Sequence, residues 1–103
     1  MTRRPQLHFM EWNGIRLEVT FEPEWLSPRI LGEDLAHLQV LSVEPMRAPL
    51  PITETGYRSH FIAASAVLAA GGPVAYVDVW LTAESEAPAW SEREQERRQL
   101  PLF

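Results

Sequence analysis

The chain has 103 residues, no cysteine and a formal net charge of −5, with 46% hydrophobic and 22% charged residues. That length fits one domain, and that balance fits a packed core rather than disorder. The missing cysteines exclude disulfides and thiolate metal sites, and the acidic balance argues against direct contact with nucleic acid, which needs a basic surface.

Met1–Pro5 carries charge but is followed by no apolar stretch of signal-peptide type. The longest uncharged, apolar-rich run, Phe61 to Tyr76, is interrupted by Gly71-Gly72-Pro73 and is too short to span a bilayer. A cytoplasmic protein with no membrane partner is expected.

Leu7–Trp12, Asn13-Gly14 and Ile15–Glu22 form the clearest local signal. Asn-Gly suits a two-residue turn in which both central residues need positive φ. In the second arm Ile15, Leu17, Val19 and Phe21 alternate with Arg16, Glu18, Thr20 and Glu22. Period two of this kind describes a strand with one buried and one wet face.

Pro23 to Ala36 reads as irregular, because Pro23, Pro28 and Gly32 interrupt any regular element. Its Trp25, Leu26, Ile30, Leu31 and Leu35 are expected to cover an edge or end of the core. His37–Glu44 reads as the third strand, ended by Pro45. Met46–Tyr57, with Pro49 and Pro51, reads as a loop.

Ser59 suits a helix N-cap, and His60–Ala70 is rich in helix formers up to the Gly71-Gly72-Pro73 stop. Val74–Thr82 reads as the fourth strand, with apolar groups on both faces. The expected class is therefore α+β: a mostly antiparallel, four-stranded sheet with one helix, in the order β-β-β-α-β, over residues 1–83.

Residues 84–103 change character. Glu84–Ala89 is small and polar, and Ser91-Glu92-Arg93-Glu94 fits a capping box that opens two charged helical turns over Glu92–Arg98. Trp90 either pins this stem to the domain or joins a partner surface. An extended tail, Gln99-Leu100-Pro101-Leu102-Phe103, ends the sequence.

That tail resembles the peptide by which polymerases, mismatch-repair proteins and replication regulators dock on the bacterial DNA sliding clamp, commonly Gln-Leu-Ser/Asp-Leu-Phe. Gln99, Leu100, Leu102 and Phe103 match, and Pro101 stands at the variable middle position. With average residue usage such a pattern arises at roughly one position in 10^5. The resemblance implies that Leu100, Leu102 and Phe103 fill an apolar groove on the clamp while the Gln99 amide bonds its rim. It implies a non-enzymatic adaptor or regulator with the clamp as partner, of a kind that suits a plasmid, phage or other mobile element.

A second candidate site is the segment holding Glu54, Tyr57, Arg58, Ser59 and His60. Arg58 and Ser59 at a helix N-terminus suit a bound phosphate or carboxylate, and Glu54 and His60 have acid–base character. The structural alternative is a cap, a turn and anchors to the core. No nucleophile–base–orienter spacing is visible, so no catalytic residue is assigned. His8, His37 and His60 lie on different elements without ligand spacing, so neither a metal nor a cofactor is expected. On the alternative reading the protein is a small ligand- or protein-binding module built on this segment, with the tail packed against its own domain.

Overall fold

The computed structural model describes residues 5–26 and 35–99, with the side chains of 24–26 and 97–99 outside the description. Four strands form one antiparallel sheet in simple sequence order. They are β1 (Gln6–Trp12), β2 (Ile15–Leu26), β3 (Leu35–Glu44) and β4 (Tyr57–Ala63). Three helices follow: α1 (Ala64–Ala69), α2 (Pro73–Ser85) and α3 (Pro88–Gln99). The class is the expected α+β, but the element order differs.

The β1–β2 hairpin forms as the sequence requires. Asn13 and Gly14 sit at φ 52° and 78°, and pairing runs without a break from Trp12↔Ile15 to Gln6↔Phe21. Strand β2 continues past Pro23, where a stop was expected. Pro23 lies beyond the end of the β1 pairing and inside a register shift between β2 and β3, so its missing N–H removes no regular ladder bond. The cover expected from Trp25, Ile30 and Leu31 falls on side chains outside the described residues.

Two assignments are corrected. The helix expected from His60 is strand up to Ala63, and α1 starts only at Ala64. Tyr57 to Ala63 alternates and pairs along its whole length with β3, from Leu41↔Tyr57 to Leu35↔Ala63. That non-local pairing outweighs the weak helix preference of His60–Ile62. Ser59 therefore caps nothing; the residue ahead of α1 is Ala63, which makes no side-chain cap.

The strand expected over Val74–Thr82 is helix α2. Pro73 is its first residue, a position where proline's fixed φ helps and its absent N–H costs nothing. Pro73, Val77 and Leu81 are buried one turn apart, and Tyr76 and Trp80 flank them. The apolar groups that suggested a two-sided strand include Val79, which is exposed. A short apolar run rich in valine is ambiguous between strand and helix until something packs on it.

One face of the sheet holds the core. Leu17, Val19 and Phe21 of β2 and Ala36, Leu38 and Val40 of β3 pack against Ala64 and Val67 of α1 and Val77 and Leu81 of α2. The loop before β4 adds Leu50 and Ile52 to this core. It is held by paired backbone bonds between Leu50 and Thr53, and by Ser42, whose hydroxyl donates to the Ala48 carbonyl at 2.7 Å. Gly56 lies where a Cβ would come within 2.6 Å of the Arg47 backbone, at φ +78°. Only glycine fits there. The opposite face of the sheet has no helix over it among the described residues, and Leu7, Phe9, Tyr57 and Phe61, which carry their side chains there by register, are all exposed.

Candidate functional site

Strand geometry decides the fate of the Glu54–His60 group. Successive side chains of a strand point to opposite faces. Tyr57 and Ser59 therefore lie on the open face, while Arg58 and His60 lie on the helix-covered face. Glu54 precedes the strand and turns toward α3, where its carboxylate accepts from Arg93 at 3.3 Å. The five residues do not converge on one ligand, and each has a packing role instead.

On the open face the Ser59 hydroxyl lies 2.6 Å from Nε2 of His37. His37 is buried although it faces this side, and Phe61 stacks on it at 4.6 Å between ring centroids. A hydroxyl on an imidazole is the first half of a nucleophile–base pair. On the other ring nitrogen, Nδ1 of His37 lies 3.4 Å from the Gln39 amide nitrogen. The Ser59 hydroxyl and the Gln39 amide thus bracket the two ring nitrogens. The Ser59–His37 contact ties β3 to β4.

On the covered face Arg58 donates to the Ile52 carbonyl at 3.2 Å and lies 5.7 Å from the Trp80 ring centroid. His60 contacts the same ring at 4.7 Å. Burial, and secondarily the Arg58 guanidinium, hold the His60 pKa below its ordinary 6.5. The imidazole is thus kept neutral beside a cation, which suits packing against tryptophan rather than anion binding. Among the described residues no group of three His, Asp or Glu stands close enough to hold a metal ion. No helix among them is long and apolar enough to cross a membrane.

The charged segment after α2 is more closely attached to the domain than its composition suggested. Helix α3 begins at Pro88, ahead of the Ser91 capping box, and runs to Gln99. Trp90 is buried, 6.4 Å from the ring of Trp12 on β1. Arg93 lies over the Trp90 ring at 5.7 Å while its guanidinium reaches Glu54. The stem is therefore pinned at its first turn, the first of the two roles open to Trp90. Leu100–Phe103 and the Gln99 side chain lie outside the described residues.

Residues 5–90 match the family model of the KlcB third domain. The chain belongs to that family. The KlcB third-domain match takes in the whole sheet, α1, α2 and the buried Trp90 that anchors α3, and it stops there. The rest of α3 and the Gln99–Phe103 peptide lie beyond it. No curated protein and no solved structure matches the chain.

The sequence reading missed His37 as the partner of Ser59 and Arg93 as the partner of Glu54. Neither left a local signal, since the pairs are 22 and 39 residues apart. The Trp12–Trp90 contact was half visible, because a lone tryptophan in a charged stem needs a hydrophobic seat.

Proposed function

We propose that this member of the KlcB third-domain family is a non-enzymatic adaptor or regulator that docks on the bacterial replication sliding clamp through Gln99–Phe103. One observation carries the reading: four of the five terminal residues fit the clamp-docking pattern, and the pattern begins at the last residue of a helix whose N-terminal half is tied to the domain by Trp90 and Arg93. A docking peptide joined to such a stem fits the role of a short segment that enters a groove on another protein. Burying Leu100, Leu102 and Phe103 yields about 1.5–3 kcal/mol each, and ordering the peptide takes back several, which leaves an affinity on the order of micromolar. Pro101 reduces the ordering cost by restricting the free chain. An acidic domain that works near DNA is better brought there by a protein partner than by phosphate contacts. The reading carries a cytoplasmic location with it.

Titration calorimetry of the full chain against purified clamp tests this. Wild type should bind with a micromolar constant, and Gln99→Ala and Leu102→Ala/Phe103→Ala should weaken binding at least tenfold. No binding by wild type, or equal binding by the variants, overturns the proposal. The alternative of a ligand module on Glu54–His60 is disfavoured by the division of those residues between two faces and a helix contact.

A further inference from the structure

The edge of the sheet at β1 is unfinished. A two-residue hairpin turn makes the flanking residues, Trp12 and Ile15, a mutually hydrogen-bonded pair. Hydrogen-bonded pairs then recur at every second residue: Met10↔Leu17, His8↔Val19 and Gln6↔Phe21. Leu7, Phe9 and Glu11 between them must turn their backbone N–H and C=O groups outward, away from β2. The same three residues carry their side chains on the face without a helix, where Leu7 is 54% and Phe9 62% exposed.

Strand edges of this kind are normally blunted by proline, an added charge or a bulge, because free ladder groups recruit another strand. Strand β1 has no proline, and its register is unbroken from end to end. The other edge is treated differently at its start. In β4 the Ser42↔Gly56 hydrogen bond fixes the phase, so Tyr57 is an outward-facing residue, and its carbonyl accepts from the Thr53 hydroxyl at 2.8 Å and the Thr55 hydroxyl at 3.3 Å.

We propose that β1 pairs antiparallel with β1 of a second copy of this chain, centred on His8, to join two sheets into one of eight strands. A two-fold axis normal to the sheet keeps both helix layers on the same side and allows only registers that pair outward-facing residues. Centred on His8, Leu7 meets the second copy's Phe9 and Phe9 meets the second copy's Leu7. Those two pairs supply four ladder hydrogen bonds and bury four exposed apolar side chains against each other.

Neighbouring registers are poorer. Centring on Phe9 sets Leu7 against a carboxylate, Glu11. Centring on Met10 sets Phe9 against it. Centring on Glu11 brings two carboxylates together. Centring on Leu7 moves Pro5, which has no N–H to donate, into the inner ladder opposite Phe9. Charge supports the same choice. In a chain of net charge −5, the stretch Pro5–Met10 holds no carboxylate, so the contact zone is free of the repulsion that the rest of the surface would impose. A contact made by one strand falls below the roughly 800 Å² per partner of a stable interface, so the dimer is weak and forms at high concentration.

Analytical ultracentrifugation of the full chain, from roughly 10 to 500 µM, reads this directly. The weight-average mass of wild type should rise toward twice the monomer, and added salt should strengthen association by screening. Leu7→Lys should hold the protein monomeric across that range. Phe9→Pro should do the same: the outward Phe9 N–H has no partner within the hairpin, so proline there removes a bond only from the dimer. Circular dichroism checks that each variant is folded, and if Phe9→Pro is not, Leu7→Lys carries the test. Wild type that stays monomeric throughout, or a folded variant that dimerises as wild type does, overturns the proposal. Gln99→Ala should dimerise normally, so failure here is distinct from failure at the clamp.

Discussion

The two edges of the sheet are equal in length and opposite in character. Strands β1 and β4 each have seven residues and one antiparallel neighbour. Strand β4 contains Tyr57, Arg58, Ser59 and His60, the residues that look most chemical, and the fold uses them on packing: a tie to His37, contacts with the Trp80 ring, threonine bonds to the Tyr57 carbonyl. Strand β1 looks ordinary, yet it turns the backbone groups of Leu7, Phe9 and Glu11 outward and leaves Leu7 and Phe9 more exposed than β4 leaves Tyr57 and Phe61. Reactive residue types mark a site only when the fold leaves them unoccupied. Availability is a property of position, and the plainer edge has more of it.

That contrast can be broken hardest at the loop that leads into β4. Gly56→Ala forces a Cβ onto the Arg47 backbone at a positive φ. We expect a loss of about 3–5 kcal/mol in urea unfolding, the sum of backbone strain and overpacking. A loss under 1 kcal/mol would show that β4 does not depend on this close approach.

The next effect tests whether Ser59 ties strands together. Ser59→Ala removes a 2.6 Å hydrogen bond from the buried His37 imidazole, which should lower stability by about 1–2 kcal/mol. The same urea midpoints check it. An unchanged midpoint would free Ser59 for another task.

The smallest effect is the pH response of His60. Its folded pKa lies below 6.5, so the unfolded chain takes up the proton first as pH falls. The stability due to the neutral imidazole is present above pH 6.5 and is lost as pH falls through the lowered folded value. Urea midpoints measured from neutral pH into that range should decline, and less steeply in His60→Gln. Parallel curves for the two proteins would show that the imidazole is solvated rather than packed on Trp80.

Sequence alone determined the β1–β2 hairpin, because Asn13-Gly14 and the alternation after it are local and each needs only its neighbours. It also determined β3, the loop before β4 and the α+β class, whereas the terminal likeness to a docking pattern was read without reference to a fold. Tertiary structure decided the rest. His60–Ala63 became strand and Val74–Thr82 became helix because the partner surface, β3 in one case and the sheet face in the other, outweighs local propensities of well under 1 kcal/mol per residue. The Ser59–His37, Glu54–Arg93 and Trp12–Trp90 contacts required strand register and helix docking to exist first. So did the distinction between the two edges: which backbone groups face outward follows from hydrogen-bond phase, which no single strand carries in its own residues.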